Sequence, residues 1–200
     1  MTSKKQQLAK ELFASKGPIL KTKALNANKL YSREIAELVQ LGFIMKIKPG
    51  YYIWSGDANN LSDIEIAASV IPHGIICHHS AAQLHEMTTV NPLVVSIAVP
   101  ANRTRIVVPD HPPVEIILSS IQTFELGLTM LKTEYTTVRV YDRERTVCDF
   151  FRKRNQLGED IALEILRNYM SRNRNLQKLF EYAEKLRIKK VMKPYVEALL

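Results

Sequence analysis

Residues 17–54 carry the pattern that most constrains what this chain can fold into. They read GPILKTKALNANKLYSREIAELVQLGFIMKIKPGYYIW. A short helix, a turn and a longer amphipathic helix are followed by a glycine stop and by two apolar-rich segments around a Pro-Gly turn. This order predicts a winged helix-turn-helix, a fold that presents its second helix to a DNA groove beside a hairpin.

The second helix of this pattern is the clearest element in the sequence. It is predicted over about residues 30–41, with the apolar residues Leu30, Ile35, Leu38 and Leu41 facing the core. Gly42 follows as the cap of its C-terminal end. Residues 26–28 (Asn-Ala-Asn) supply the turn before it, because asparagine tolerates left-handed backbone geometry.

The first turn of this helix and the basic residues around it are the candidate DNA contacts. Arg33 is the candidate for a guanine edge, because a guanidinium can donate to two acceptors at once. The lysines before the helix would contact phosphates, and Lys46 and Lys48, which flank the tip of the wing, would reach a neighbouring groove or the DNA backbone. Two glutamates on the helix disfavour DNA, so a protein-interaction module with Tyr31 packed inside remains an alternative. The predicted DNA-binding residues are Lys21, Lys23, Lys29, Tyr31, Ser32, Arg33, Lys46 and Lys48.

The net charge of +8 is distributed unevenly along the chain. Residues 1–56 carry 10 Lys and Arg against 3 Asp and Glu, residues 57–138 carry 3 against 8, and residues 139–200 carry 15 against 9. Two basic ends around an acidic middle predict two surfaces for a polyanion, although solvated basic helices would give the same counts. The candidate second basic surface comprises Arg143, Arg152, Lys153, Arg154, Arg172, Arg174, Arg187, Lys189, Lys190 and Lys193.

A polar, turn-rich segment at residues 55–60 predicts the boundary between two domains, 1–56 and 57–200. The second is expected to be a mixed α/β domain with a helical C-terminal tail, which makes the whole chain an α+β protein. Helices are predicted over 61–71, 79–87, 142–152, 159–170, 176–186 and 190–200, and strands over 74–77, 93–99, 105–108, 114–118 and 136–140.

Several classes of protein are disfavoured by what the sequence lacks. It has no run of about 18 apolar residues, so no membrane span is expected, and its first residues have no apolar segment of a secretory signal. Cys77 and Cys148 stand too far apart in sequence for a close metal pair and make no disulfide framework. A cytoplasmic protein with reduced thiols is expected. Without a glycine-rich phosphate loop, no nucleotide cofactor is expected either.

The histidines near residue 80 raise the question of a metal or catalytic site. His78, His79 and His85 lie close to Cys77, but no second segment supplies a pair of closely spaced ligands, so no metal is expected. Ser80 lacks the glycine-framed elbow of a catalytic serine. Histidines that form hydrogen bonds inside the domain are the favoured interpretation.

Two motifs resemble the AbiE abortive-infection antitoxin family. Residues 76–85 (ICHHSAAQLH) resemble its pattern of a small residue, His, any residue, Ser-Ala-Ala and then Leu-His, and residues 140–149 (VYDRERTVCD) resemble its Glu-Arg-Thr helix start. The likeness in element order covers nearly the whole chain. One departure is Glu86-Met87, where a glycine is more usual in the family.

This resemblance implies the regulator half of a type IV toxin-antitoxin pair, and no enzyme. Such a protein would bind inverted repeats in its promoter, repress its own operon, and oppose a nucleotidyltransferase-like toxin without forming a stable complex with it. An enzyme that modifies nucleic acid or the toxin, with Asp142, Glu144 and Asp149 required for turnover, is the remaining alternative. Structural roles are expected for the motif residues His78, Ser80, His85, Asp142, Glu144 and Arg145.

Overall fold

The computed structural model describes residues 2–103 and 105–200, without the side chains of residues 2 and 3. It has the predicted α+β composition, with one three-stranded sheet and one five-stranded mixed sheet. Among the described residues, no helix is long and apolar enough to cross a membrane. The chain forms two compact units, Met1–Pro72 with Val107–Pro113, and His73–Ile106 with Val114–Leu200. The first unit therefore extends past the boundary predicted at residue 56.

The first unit surrounds a small sheet with helices. Its strands lie in the order β1-β3-β2, and both pairings are antiparallel. Gly42 adopts a φ of +74° just after α3, as a C-terminal cap requires, because a side chain is strained in this region. The elements are α1 (Thr2–Lys16), β1 (Ile19–Lys21), α2 (Thr22–Ala27), α3 (Ser32–Gln40), β2 (Ile44–Lys48), β3 (Tyr51–Trp54) and α4 (Asp63–Val70).

The core of the first unit holds α2 and α3 against the sheet. Leu25 and Leu30 are fully buried, and Ile35 and Leu38 of α3 pack with them and with Ile44 of β2. Burying side chains of this size contributes about 1.5–3 kcal/mol each. This apolar contact fixes which face of α3 points inward and leaves its polar side exposed. Leu41 was wrongly predicted to face the core: it lies at the C-terminal cap of α3 and is 50% exposed.

The second unit has a five-stranded sheet in the order β6-β5-β4-β8-β7. β5 is parallel to β6 and β4 is parallel to β8, while the other two pairings are antiparallel. Its elements are β4 (Ile75–Ile76), α5 (His78–Leu84), β5 (Val95–Pro100), β6 (Val114–Ser119), β7 (Leu128–Lys132), β8 (Thr137–Tyr141), α6 (Arg143–Arg152), α7 (Arg154–Leu157), α8 (Glu159–Met170), α9 (Leu176–Lys185) and α10 (Lys189–Glu197).

Helix α6 is the centre of the helical layer of this unit. Each of its residues from position 144 to position 151 is buried, and it contacts α5, α8, α9 and α10. The predicted N-terminal cap is present, since the Asp142 carboxylate accepts from the Arg145 N–H at 2.8 Å. Cys148 is fully buried among Leu179 and other apolar side chains, and burial raises the pKa of its thiol.

Three predictions of local structure were wrong. Residues 105–108 do not form a strand; residues 107–113 belong to the first unit, where the Asp110 N–H donates to the Ile47 carbonyl. The strand β7 was missed, because it is an edge strand with partly exposed side chains and has little alternation of polar and apolar residues. The left-handed residue before α3 is Lys29, with a φ of +62°, and not an asparagine.

Candidate functional site

Most of the predicted DNA contacts of the first unit are exposed to solvent. Helix α3 buries Ile35 and Leu38, which turns its first residues outward. Tyr31 is 56% exposed, so it does not pack inside as the protein-interaction alternative assumed. The exposed members of the set are Lys21, Lys23, Lys29, Tyr31, Ser32, Arg33 and Lys46.

A capping interaction holds the first turn of α3. The Glu34 carboxylate accepts from the backbone N–H of Tyr31 at 3.2 Å, and a carboxylate is favourable at this positive end of a helix. The Lys5 ammonium lies 3.0 Å from the same carboxylate, and this hydrogen bond lowers the pKa of Glu34. Glu34 therefore caps the helix, and the charge of Lys5 offsets its negative charge. Repulsion of DNA by Glu34 is accordingly weaker than the sequence alone suggests.

Lys48 is buried, although it was predicted to be an exposed DNA contact of the wing. Its side chain is buried, with 8% exposed, and its ammonium donates to the Val107 carbonyl at 2.8 Å. The same ammonium lies 4.8 Å from the centroid of the Tyr51 ring. Burial, and next the neighbouring Lys21, lower the pKa of Lys48. Residues 107–113 cover β2 and bury Lys48. The prediction that Lys48 reaches DNA is therefore wrong.

In the second unit, the first motif residues form internal hydrogen bonds. The Ser80 hydroxyl is fully buried and accepts from the Ser96 N–H at 3.0 Å. The His85 ring nitrogen Nε2 lies 2.7 Å from the Tyr141 carbonyl. His78 is buried edge-on against the Phe150 ring, and burial lowers its pKa to about 3. His78 is therefore a neutral imidazole at physiological pH.

Asp142 and Glu144 of the second motif belong to a network at the N-terminal end of α6. The Lys178 ammonium lies 2.9 Å from Asp142 Oδ2 and 3.2 Å from Glu144 Oε2. The Tyr169 hydroxyl donates to Glu144 at 3.0 Å, and the Tyr182 hydroxyl donates to Asp142 at 3.2 Å. These contacts tie α6 to α8 and α9, so both carboxylates are already occupied in holding helices together.

Arg145 is the largest fully buried side chain of the chain as described, with 2% exposed. Its Nε donates to both carboxylate oxygens of Asp149 at 3.0 Å, and its Nη1 donates to the carbonyls of Thr123 and Leu126 at 2.6 and 3.0 Å. The guanidinium also lies 4.3 Å from the centroid of the Tyr141 ring. Arg145 thus joins α6 to the turn between β6 and β7.

Gly127 lies against this arginine and provides a test of how tightly the site is built. A Cβ at Gly127 would lie 2.5 Å from Arg145 Cβ, and its φ of +78° already disfavours a side chain. We expect Gly127→Ala to destabilise the protein by at least about 2 kcal/mol, measured by urea unfolding. Gly42→Ala is the matched control, because its φ is +74° but, beyond its two chain neighbours, no atom of the described residues lies within 4 Å of its Cβ. Equal losses of stability in the two variants would contradict a close contact at Gly127.

Several residues of the predicted second basic surface form hydrogen bonds or ion pairs within the protein, and so are not free to bind a polyanion. Arg143 donates to the carbonyls of Asn173 and Tyr169 and lies over the Tyr169 ring. Arg154 and Arg174 donate to the carbonyls of Phe151 and Met170. Exposed ion pairs engage Arg172 with Glu86, Lys189 with Glu184 and Lys193 with Glu197. Lys190 is exposed on α10.

Arg152, Lys153 and Arg187 instead line cavities of the second unit. A cavity of about 100 Å³ is bordered by His78, Arg145, Asp149, Arg152 and Lys153, together with residues of β6. A larger one, of about 500 Å³, shares Arg152 and Ser120 with it and adds Lys185 and Arg187. Lys185 was missed by the sequence analysis, because an exposed lysine at a helix end gives no signal in sequence of the cavity beside it.

Neither a protein-family model nor a curated protein matches this chain.

Proposed function

We propose that the first unit is a winged helix-turn-helix that binds double-stranded DNA, with α3 as the recognition helix and β2 and β3 as the wing. The observation that carries the proposal is the first turn of α3. It exposes Tyr31, Ser32 and Arg33 while the opposite face of the helix is buried in the core. Exposed lysines before α3 and on β2 supply charge for the phosphates.

We propose further that the chain is an AbiE-type antitoxin and transcriptional autorepressor, as the resemblance of its two motifs implies. It would bind inverted repeats in its own promoter in the cytoplasm, through Arg33 and its neighbours. It would oppose a nucleotidyltransferase-like toxin without a stable complex, through its second unit. The placement of Asp142, Glu144 and Arg145 in a network that holds helices supports a structural role for the second motif and favours this function over an enzyme.

The test compares base reading with phosphate contact. Binding of the full chain to a duplex from upstream of its gene, and to a scrambled duplex of equal length, is measured by fluorescence anisotropy. We expect Arg33→Ala to reduce discrimination between the two duplexes by about 1–3 kcal/mol, because a bidentate guanine contact is lost. Lys46→Ala is expected to weaken both complexes alike, because phosphates carry no sequence information.

Lys132→Ala is the matched control, since it removes an exposed lysine of β7 in the second unit. It is expected to leave both affinities unchanged. If the wild-type chain binds promoter and scrambled DNA equally, the repressor function is excluded. If it binds neither duplex but is recovered in a stable complex with the toxin, the first unit is a protein-interaction module.

A further inference from the structure

The larger cavity of the second unit is rich in hydrogen-bond donors. Ser120, Gln122 and Thr123 approach it from the turn after β6, and three cations approach it from the ends of two helices. No described residue that lines it is Asp or Glu. The Thr123 hydroxyl is buried without a hydrogen-bond partner among the described residues, although its backbone carbonyl accepts from Arg145. Such a lining matches a ligand that has several acceptor oxygens and negative charge.

The three cations of this cavity lie at the C-terminal ends of two helices. Arg152 lies in the last turn of α6, Lys185 in the last turn of α9, and Arg187 two residues further on. Lys185 is paired with Glu181 at 2.6 Å, but both side chains are more than half exposed, so this pair holds Lys185 only weakly. Arg152 and Arg187 are exposed and form no ion pair with another described residue, so all three charges are available to a ligand.

Arg187 is the cation of this cavity that favours a binding site over simple compensation of the charge at a helix end. Cations in the last turns of α6 and α9 offset the partial negative charge of the helix ends, which accounts for Arg152 and Lys185 without any ligand. Arg187 lies beyond α9 with a φ of +59°, in the left-handed position that follows many helices and usually holds glycine. A non-glycine residue is strained there, so the backbone conformation gives no reason for an arginine at this position. The side chain of Arg187 is therefore what the position requires.

We propose that this cavity binds the terminal phosphate of a nucleotide, held by Arg152, Lys185 and Arg187. A phosphate monoester carries about −1.5 to −2 charges at pH 7 and three acceptor oxygens, which three cations and the Thr123 hydroxyl can satisfy. The volume of about 500 Å³ leaves room for more than the phosphate group, and pockets for small molecules have this size. The proposal concerns the second unit alone and does not depend on DNA binding by the first.

Calorimetric titration of the full chain with AMP, GMP, CMP and UMP tests the proposal, with adenosine as the ligand without phosphate. At least one nucleotide is expected to bind, and adenosine is expected to bind at least tenfold more weakly. Single-stranded oligonucleotides with a 5′-phosphate or a 5′-hydroxyl distinguish the two sources of such a phosphate. Preference for the phosphorylated oligonucleotide over the free nucleotides assigns the site to a nucleic-acid end. Binding that is equal with and without the phosphate overturns the proposal.

The decisive variant is Arg187→Gly. It removes the guanidinium and relieves the left-handed backbone, so the melting temperature should equal or exceed that of the parent. Affinity for the nucleotide is expected to fall at least tenfold. Lys190→Ala is the matched control, because it removes an exposed charge of α10 that does not line the cavity. Unchanged affinity in Arg187→Gly, or an equal loss in Lys190→Ala, would show that these cations serve only the helix ends.

Discussion

Replacing Arg145 by alanine is expected to destabilise the second unit by about 3–5 kcal/mol, because it leaves Asp149 as a buried charge without its partner. The change also removes the donors to the carbonyls of Thr123 and Leu126. Urea unfolding followed by circular dichroism measures the loss. Arg152→Ala is the control, since it truncates an exposed arginine of the same helix and should change stability by less than about 0.5 kcal/mol. A loss below about 1 kcal/mol for Arg145→Ala would contradict the proposed role.

The same variant should respond to pH in a defined direction. Burial raises the pKa of Asp149 above its ordinary value of 3.8, and the Arg145 charge opposes that rise. Without Arg145, the pKa of Asp149 in the folded protein rises further. Protonation of Asp149 then stabilises the folded form more than the unfolded chain. The loss of stability in Arg145→Ala, relative to the parent, should therefore shrink as the pH falls through the folded-state pKa of Asp149 towards 3.8. A deficit that grows on acidification would mean that Asp149 is not the group left unpaired.

The helices could be predicted from the sequence because their signals are local. The spacing of Ile35 and Leu38 gives the buried face of α3, Gly42 ends it, and Asp142 begins α6. These signals act within one or two turns of chain, so no knowledge of the rest of the fold is needed. The edge strand β7 could not be found in this way, because its register depends on pairing with β8.

The environments of the charged residues could not be predicted, because distant segments create them. Lys48 looked like an exposed lysine of a hairpin until residues 107–113 covered it, 59 positions further along the chain. Arg145 appeared as a motif residue, and nothing in its motif indicated that the carbonyls of Thr123 and Leu126 accept its hydrogen bonds. The cavity that joins Arg152 to Arg187 depends on where α6 and α9 end in space. Sequence patterns fix which residues are charged, and the packing decides which charges stay available.

Promoter affinity is expected to fall about 150-fold per bound protomer between 50 and 200 mM salt, because four lysine–phosphate contacts give a slope of log K against log salt of about −3.6. The four are Lys21, Lys23, Lys29 and Lys46, all exposed in the first unit. Anisotropy titrations at five or more salt concentrations give the slope. A flat response would exclude phosphate contacts and with them the proposed interface.

Two lysines on the same strand turn this slope into a test of the structure. Lys46→Ala removes an exposed charge, so the slope should become less steep by about 1. Lys48→Met removes an equal charge from a buried ammonium that already bonds the Val107 carbonyl, so the slope should stay as in the parent. The sequence alone makes the two lysines equivalent at the wing, and equal changes in slope would mean that residues 107–113 release Lys48 when DNA binds. A difference confined to Lys46 means that the covered side of β2 faces away from the DNA.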